Sequence, residues 1–215
     1  MNKDKDVMST GTTTIGLKYK NGVVIAADRR ATAGNMIVNP KAKKIHTINS
    51  RFTLTTSGTV SDAQKVIKLL DANINVNENR RNRDLLVKEV ASMLSSYVYS
   101  NIRAMRPLPA VTHFLLAGYD SKGIHLYDVF PDGSLTEIDN FVSSGSGSVF
   151  SYGVLESQYE EDMSQKEATD LALNAINTSL RRDSATGNGV EVFIIEKDNI
   201  EKVIDKKVSV DVSNN

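Results

Sequence analysis

Hydrophobic residues recur along this chain in blocks that alternate between two spacings. Alternating and β-branched apolar residues predict strands, the first of which starts near residue 12 and leads into Asn21-Gly22, a dipeptide typical of tight β-hairpins. Residues 23–28 then return as the partner strand, and the polar residues 29–35 predict a loop. The same criteria predict further strands at residues 36–39, 43–48, 51–57, 112–119, 123–130, 134–138, 190–196 and 200–203.

Apolar residues three and four positions apart predict two pairs of helices between these strands. In the first pair, Ser61 matches the N-cap of a capping box and opens a helix that runs to about residue 77. A polar hinge at residues 79–83 leads into the second helix, which ends at Pro107 and Pro109.

The second pair of helices lies near the C-terminal end of the chain. Residues 149–158 predict one helix, and Ser164 with Glu167 forms another capping box that opens the next one. This second helix is predicted to end at residues 181–187. Its inward-facing positions are Ala168, Leu171, Ala172, Ala175 and Ile176.

The order of these elements predicts the fold. Helices that arrive in pairs, rather than one after each strand, argue against a parallel sheet with crossover helices. Two antiparallel sheets packed face to face, each covered on its outer side by a helix pair, would bury every apolar face. We therefore predict an α+β fold, a four-layer αββα sandwich, in a single domain without internal repeats or linkers.

Composition narrows the classes of function. The chain has 215 residues, 40% of them hydrophobic, and equal numbers of basic and acidic residues, 26 each, so no global field favours nucleic acid or an anionic membrane. The absence of cysteine excludes disulfides, thiolate catalysis and thiolate metal sites. Residues 1–11 lack the apolar core of a signal peptide, and no run has the length of a membrane span, so we expect a cytoplasmic protein.

A hydroxyl-rich segment, Gly11-Thr12-Thr13-Thr14-Ile15-Gly16, offers candidate chemistry. Glycine leaves the preceding peptide bond unobstructed, and cleavage at that bond would give Thr12 a hydroxyl nucleophile together with a free α-amine as its base. The alternative interpretation is an ordinary threonine-rich edge strand, and the six residues alone do not decide between them. By the same reasoning, residues 1–11 are either a short propeptide or a tail.

Other chemistries lack support in the sequence. The three histidines, His46, His113 and His125, show no metal-ligand spacing with acidic partners, and no nucleophile-elbow motif is present. The glycines at 145 and 147 lack the lysine of a phosphate-binding loop. Isolated arginine pairs without aromatic platforms do not indicate a nucleic-acid interface. We therefore predict no metal, no cofactor and no nucleic-acid or membrane partner.

Six short segments, taken together and in order, resemble the proteasome β subunits of the archaeal type. The resemblance extends from Gly11 to about residue 203 and rests on residues 11–16, 27–32, 43–44, 144–147, 152–156 and 182–187. It implies the αββα fold of the N-terminal nucleophile hydrolases and a threonine endopeptidase. It also implies a propeptide, residues 1–11, removed by self-cleavage of the Gly11–Thr12 bond, and a catalytic domain of residues 12–215.

The resemblance also implies roles for individual residues. Thr12 would be the nucleophile, with its α-amine as base, and Lys44 and Asp28 would orient it and set its proton affinity. From the residues alone, Lys44 could equally be a solvated strand lysine and Asp28 a turn carboxylate. The remaining implied members of the site are Ser146, Asp183 and Thr186 around the amine, and Gly58, whose backbone N–H would serve the oxyanion. Thr186 stands where many members of the family have serine.

Five residues would surround the substrate side chain that precedes the cleaved bond. They are Ala31, Ala42, His46, Thr56 and Val60. Because these side chains are small to medium in size and partly polar, we expect cleavage after hydrophobic residues.

Assembly follows from the same resemblance. The family forms stacked seven-membered rings, with β subunits inside and α subunits outside, and a ring-shaped ATPase feeds in unfolded polypeptides. The alternatives are a noncatalytic subunit of the same particle, the simpler bacterial relative with six-membered rings, and an amidase of the superfamily that acts on small molecules. The presence of Thr12, Asp28 and Lys44 favours the catalytic subunit.

Overall fold

Strands and helices follow one another in the predicted block order in a computed structural model that describes residues 11–105 and 110–208. The strands are β1 (Thr14–Tyr19), β2 (Gly22–Asp28), β3 (Ala31–Ala33), β4 (Met36–Asn39), β5 (Ile45–Ile48), β6 (Phe52–Gly58), β7 (Thr112–Asp120), β8 (Gly123–Val129), β9 (Leu135–Glu137), β10 (Phe141–Ser144), β11 (Gly189–Glu196) and β12 (Asn199–Lys207). The helices are α1 (Val60–Arg81), α2 (Val87–Ile102), α3 (Ser148–Gln158) and α4 (Gln165–Arg182).

Two five-stranded antiparallel sheets form the centre of the molecule. One has the strand order β10-β1-β2-β11-β12, the other β5-β6-β7-β8-β9, and β3 pairs with β4 as a separate two-stranded ribbon. Helices α1 and α2 cover the outer face of the second sheet, and α3 and α4 cover the outer face of the first. The predicted αββα sandwich is confirmed.

Strand β7 shows how one strand serves both faces of its sheet. Leu115 and Ala117 point into the core between the two sheets, while Phe114 and Leu116 pack in the core under α1 and α2. Because successive side chains of a strand point to opposite faces, a strand covered on both sides carries apolar residues throughout. This pattern holds the two sheets in a fixed relation, which matters because the site draws residues from both.

The structure corrects two sequence predictions around α1. The helix begins at Val60 after Thr59, so Ser61 lies in the first turn and is not the N-cap. The Thr59 N–H donates to the carbonyl oxygen of Val111, just ahead of β7, and the Thr59 carbonyl accepts the first helical bond from Ala63, so this contact with the segment leading into β7 decides where the helix begins. At its other end the helix continues through most of the predicted hinge, to Arg81.

Other local predictions had mixed outcomes. Residues 31–33 form strand β3 and not a loop, because they pair with β4. The capping box of Ser164 and Glu167 is confirmed, and all five predicted inward positions of α4 are buried. Pro107 and Pro109, predicted to end α2, lie outside the described residues. No helix in the described part of the chain is long and apolar enough to cross a membrane.

Replacing Leu126 by alanine should destabilise the chain by about 3 kcal/mol, because a fully buried leucine between the sheets leaves a cavity when truncated. Urea unfolding of the purified chain measures the loss. The control is Val203→Ala on β12, where the side chain is 37% exposed and the change should cost much less. Equal losses in the two variants would show that packing between the sheets is not a dominant contribution.

Candidate active site

Thr12 lies two residues before β1, at the end of the sandwich where the two sheets open. Its side chain is buried, and its Oγ1 donates a hydrogen bond to the Gly11 carbonyl oxygen at 2.6 Å. The hydroxyl is therefore next to the peptide bond that joins Gly11 to Thr12. The nucleophile candidate and the carbonyl that it would attack are therefore neighbours within one chain, the proximity that such a reaction requires.

A buried ion pair stands beside this bond. Lys44 Nζ, just ahead of β5, donates to Asp28 Oδ1 at 2.6 Å and to the Gly11 carbonyl oxygen at 3.2 Å. Asp28 ends β2 and is fully buried. The lysine thus connects the carboxylate to the oxygen that Thr12 also contacts.

Three backbone donors complete the surroundings of the Asp28 carboxylate. The N–H of Thr13 donates to Oδ1 at 2.9 Å, and the N–H groups of Arg30 and Gly187 donate to Oδ2 at 3.0 and 2.9 Å. Burial of a carboxylate is tolerable only when it is paired and hydrogen-bonded in this way. Asp28 therefore fixes Lys44 and the backbone around Thr12 at the same time.

Burial also changes the proton affinity of Lys44. Loss of hydration lowers the pKa of its ammonium group, and the negative charge and hydrogen bond of Asp28 oppose that change only in part. A lysine with a lowered pKa loses its proton more readily than a solvated one. Lys44 Nζ and Thr12 Oγ1 both donate to the Gly11 carbonyl oxygen, so the two groups are neighbours.

A second cluster holds the backbone nitrogen of Thr12. This nitrogen donates to Ser146 Oγ at 3.3 Å, and Ser146 Oγ donates to Asp183 Oδ2 at 2.6 Å. Thr186 Oγ1 donates to the same carboxylate oxygen at 2.6 Å and lies 2.7 Å from Thr13 Oγ1. The hydroxyl of Thr186 is therefore hydrogen-bonded both to Asp183 and to Thr13.

The turn between β10 and α3 approaches Thr12 so closely that it must contain glycine. A Cβ atom placed on Gly145, which has a φ of +91°, would stand 2.1 Å from the Thr12 carbonyl oxygen, and one on Gly147 would stand 2.0 Å from Thr13 Oγ1. Both contacts are far inside van der Waals distance, so a side chain at either position would displace the turn. The two glycines are therefore required by packing, Gly145 against the Thr12 backbone and Gly147 against the Thr13 side chain.

A cavity of about 600 Å³ opens beside Thr12. Gly58, at the end of β6 with a φ of +97°, and Lys44 line it together with Thr12. All five residues expected to surround a substrate side chain line this cavity: Ala31, Ala42, His46, Thr56 and Val60. The structure thus brings together every site residue named from the sequence.

Part of the cavity lining was not predicted from the sequence. Gln64 and Ile67 of α1 form one wall with Val60, and Val38 and Asn39 of β4 form part of the opposite rim. The first two could have been found, because positions 60, 64 and 67 lie on one face of a helix. The β4 residues could not, because nothing in their sequence indicates where the β3–β4 ribbon folds.

Arg30 is another residue at this site, and the sequence predicted no role for it. Its guanidinium donates to Asn188 Oδ1 at 2.7 Å and to the Ser184 carbonyl oxygen at 2.8 Å. Arg30 thereby fastens the loop that carries Asp183 and Thr186 to the end of β2. Within the described ranges, no three His, Asp or Glu side chains are grouped as metal ligands would be.

Comparison with known proteins agrees with this geometry. The sequence profile of a family described as "Proteasome subunit" matches residues 8–195. The chain belongs to the proteasome subunit family. Among its curated relatives, "Proteasome subunit beta" of Methanoculleus marisnigri is 42% identical over 91% of this chain and 89% of its own length.

Two further relatives carry the same name. The protein of Methanocorpusculum labreanum is 38% identical over 97% of both chains, and that of Methanopyrus kandleri is 40% identical over 91% of this chain and 92% of its own. The resemblance to proteasome β subunits noted in the sequence is thus confirmed, and it spans nearly the whole chain.

His46 makes a testable contribution to pH dependence in this proteasome subunit. The pKa of its imidazole is lowered from 6.5 to about 4. Burial is the larger cause, and the charge of Lys43 is the smaller one. In the unfolded chain His46 takes up a proton near pH 6.5, whereas in the folded chain it does so only near pH 4. The contribution of His46 to the free energy of unfolding should therefore fall, by at most about 3 kcal/mol, as the pH drops from 6.5 to 4, and change no further below pH 4.

The His46→Gln variant should lose this part of the pH dependence, as measured by urea unfolding at intervals between pH 7 and pH 4. Lys43→Gln serves as a matched variant, because it removes the smaller cause and should raise the pKa of His46 slightly. An identical pH profile in wild type and His46→Gln would contradict the assignment.

Proposed function

We propose that this chain is a catalytic β subunit of a 20S proteasome and acts as a threonine endopeptidase. The observation that carries the proposal is the position of Thr12 Oγ1, 2.6 Å from the Gly11 carbonyl oxygen, with the Lys44–Asp28 pair bonded to the same oxygen. Family membership alone does not separate catalytic from structural subunits. The contacts around Thr12 favour the catalytic one.

The first proposed reaction is self-cleavage of the Gly11–Thr12 bond. The Lys44–Asp28 pair first releases one proton, which the lowered pKa of Lys44 favours. Thr12 Oγ then attacks the Gly11 carbonyl carbon, Lys44 takes the hydroxyl proton, and the resulting ammonium faces the developing oxyanion. The carbon–nitrogen bond then breaks as the nitrogen of Thr12 takes up a proton. Water hydrolyses the ester that remains, which releases residues 1–11 as a propeptide and leaves residues 12–215.

Cleavage would convert the backbone nitrogen of Thr12 into a free α-amine. Such an amine has an ordinary pKa of about 7.7–8.0 and can act as a base near neutral pH. Ser146 Oγ already accepts a hydrogen bond from this nitrogen at 3.3 Å, and Asp183 orients Ser146. The cluster of Ser146, Asp183 and Thr186 is therefore placed to hold the amine after processing.

Substrate hydrolysis would use the same groups. Thr12 Oγ attacks the substrate carbonyl carbon and gives its proton to the α-amine, the leaving amine takes up a proton, and water then hydrolyses the acyl-enzyme ester. The proposed oxyanion donor is the backbone N–H of Gly58. The cavity beside Thr12 would receive the substrate side chain, and the apolar surface of Ala31, Val60 and Ile67 supports the expected cleavage after hydrophobic residues.

The proposed partners follow from family membership. As a β subunit the chain would occupy the inner, seven-membered rings of the particle, with α subunits outside, in the cytoplasm. A ring-shaped ATPase would deliver unfolded polypeptides. The second candidate, a noncatalytic ring subunit, gains no support from the site, because such a subunit needs neither the Lys44–Asp28 pair nor a hydroxyl at position 12.

Coexpression with the α subunit of the same organism tests self-cleavage. The intact mass and N-terminal sequence of the assembled chain should show a first residue of Thr12. In Thr12→Ala the chain should keep Met1 and lack peptidase activity, because no hydroxyl is present to attack the Gly11 carbonyl. An assembled wild-type chain that still begins at Met1 would establish the structural-subunit alternative.

A double substitution separates the ionic role of Lys44 from its catalytic role. Lys44→Met should destabilise the chain by about 3 kcal/mol, since it leaves the buried Asp28 carboxylate without its cation. The double variant Lys44→Met with Asp28→Asn should recover part of that stability, yet show neither processing nor peptidase activity. Urea unfolding and intact mass measure the two effects, and activity in the double variant would refute the proton-transfer role of Lys44.

A further inference from the structure

Residue 11 is held from three directions. Its N–H donates to Thr32 Oγ1 at 2.9 Å, and its carbonyl oxygen accepts from Lys44 and from the Thr12 hydroxyl. On a third side its α-carbon lies against Ala185, because a Cβ placed on Gly11 would stand 1.7 Å from the Ala185 Cβ. A glycine, which has the largest conformational freedom of any residue, is thus held in one orientation.

The mechanism proposed above makes no use of Thr32. This residue lies on β3, pairs with Ile37 of β4, and is 97% buried, since only 3% of its surface is exposed. Its hydroxyl contacts neither the Lys44–Asp28 pair nor the Ser146 cluster in any described hydrogen bond. Its described contact is with the amide of the residue that would be cut away.

We propose that Thr32 is a positioning residue for propeptide cleavage. Its hydroxyl fixes the amide of Gly11, Ala185 closes the opposite side, and together they keep the Gly11 carbonyl within reach of Thr12 Oγ1. The inference rests on the proposed function, since it assumes that the Gly11–Thr12 bond is cut.

The physical reason is the sensitivity of attack to geometry. A misplacement of about 1 Å between nucleophile and carbonyl can cost about 100-fold in rate. Without the Thr32 hydroxyl, rotation about the two backbone bonds of Gly11 would let the carbonyl swing away from Thr12. The bonds from Lys44 and Thr12 both act on the carbonyl oxygen, so among the hydrogen bonds of the described residues it is that of Thr32 that constrains the nitrogen side.

The role of Thr32 toward Gly11 ends with processing. Once Gly11 has left, the hydroxyl has lost the amide that it held, whereas Lys44 would go on serving substrate hydrolysis. Loss of the hydroxyl should therefore slow processing more than it slows turnover of peptides. This split separates a positioning role from a general structural one.

The test compares Thr32→Val, which keeps the β-branched shape without the acceptor, with Thr32→Ser, which keeps the hydroxyl. Each is coexpressed with the α subunit, and the loss of residues 1–11 is followed over time by intact mass. We expect processing of Thr32→Val to be at least about 10-fold slower than wild type, and that of Thr32→Ser to lie within about 3-fold of it. The melting temperature, measured with Thr12→Ala also present, checks that both variants fold.

Mature chains made without self-cleavage provide the second readout. A removable N-terminal fusion that exposes Thr12 directly bypasses processing, and in that form Thr32→Val should lose less in kcat/KM than it loses in processing rate. If Thr32→Val does not fold, Ala185→Gly keeps the hydrogen bond but loosens the opposite side, and it should slow processing about 3-fold or more.

Three outcomes would overturn the inference: wild-type processing in Thr32→Val, equal slowing by valine and serine, or equal losses in processing and in turnover. If Ala185→Gly is the variant examined, processing at the wild-type rate overturns it as well. A wild-type chain that stays uncut in assembled particles refutes the proposed function itself, and the inference falls with it.

Discussion

A carboxylate that is removed from water must be surrounded by donors, and the Asp28 carboxylate imposes this condition on the whole site. Its four described partners come from separate parts of the chain: Lys44 ahead of β5, and the backbone N–H groups of Thr13, Arg30 and Gly187. Because Lys44 leads into one sheet while Asp28 ends a strand of the other, the ion pair joins the two sheets at their open end. The donors that surround the Asp28 carboxylate thus also hold Thr12 in place.

The second constraint is the close approach of loop backbone to neighbouring residues. The turn through Gly145 and Gly147 lies against Thr12 and Thr13 with no room for side chains, and Gly187 lies directly against the Arg30 guanidinium. These contacts bring Ser146 and the loop of Asp183 to the nitrogen of Thr12. The site therefore combines a charge that must be neutralised with glycines that allow the surrounding loops to close over it.

The sequence predicted the sandwich well, because both faces of each sheet are covered and the apolar runs and helix pairs leave few alternatives. It did not identify Lys44 unaided: Lys41 and Lys43 have the same side chain, and only burial, which spacing does not reveal, distinguishes Lys44 from its exposed neighbours. The start of α1 was misplaced because a hydrogen bond from Thr59 to the Val111 carbonyl overrides the local capping pattern. Thr32 was passed over because residues 29–35 were predicted to be a loop, and its contact with Gly11 is a tertiary one.

The contact between Thr12 Oγ1 and the Gly11 carbonyl lies within one chain, and this has a kinetic consequence for the proposed self-cleavage. A nucleophile held beside its own target reacts in a first-order process with a high effective molarity, so dilution of folded chains leaves the chemical step unchanged. Any dependence of processing on protein concentration would therefore report the association of subunits. The time course of maturation would then report the rate of assembly, and it could be followed without a substrate.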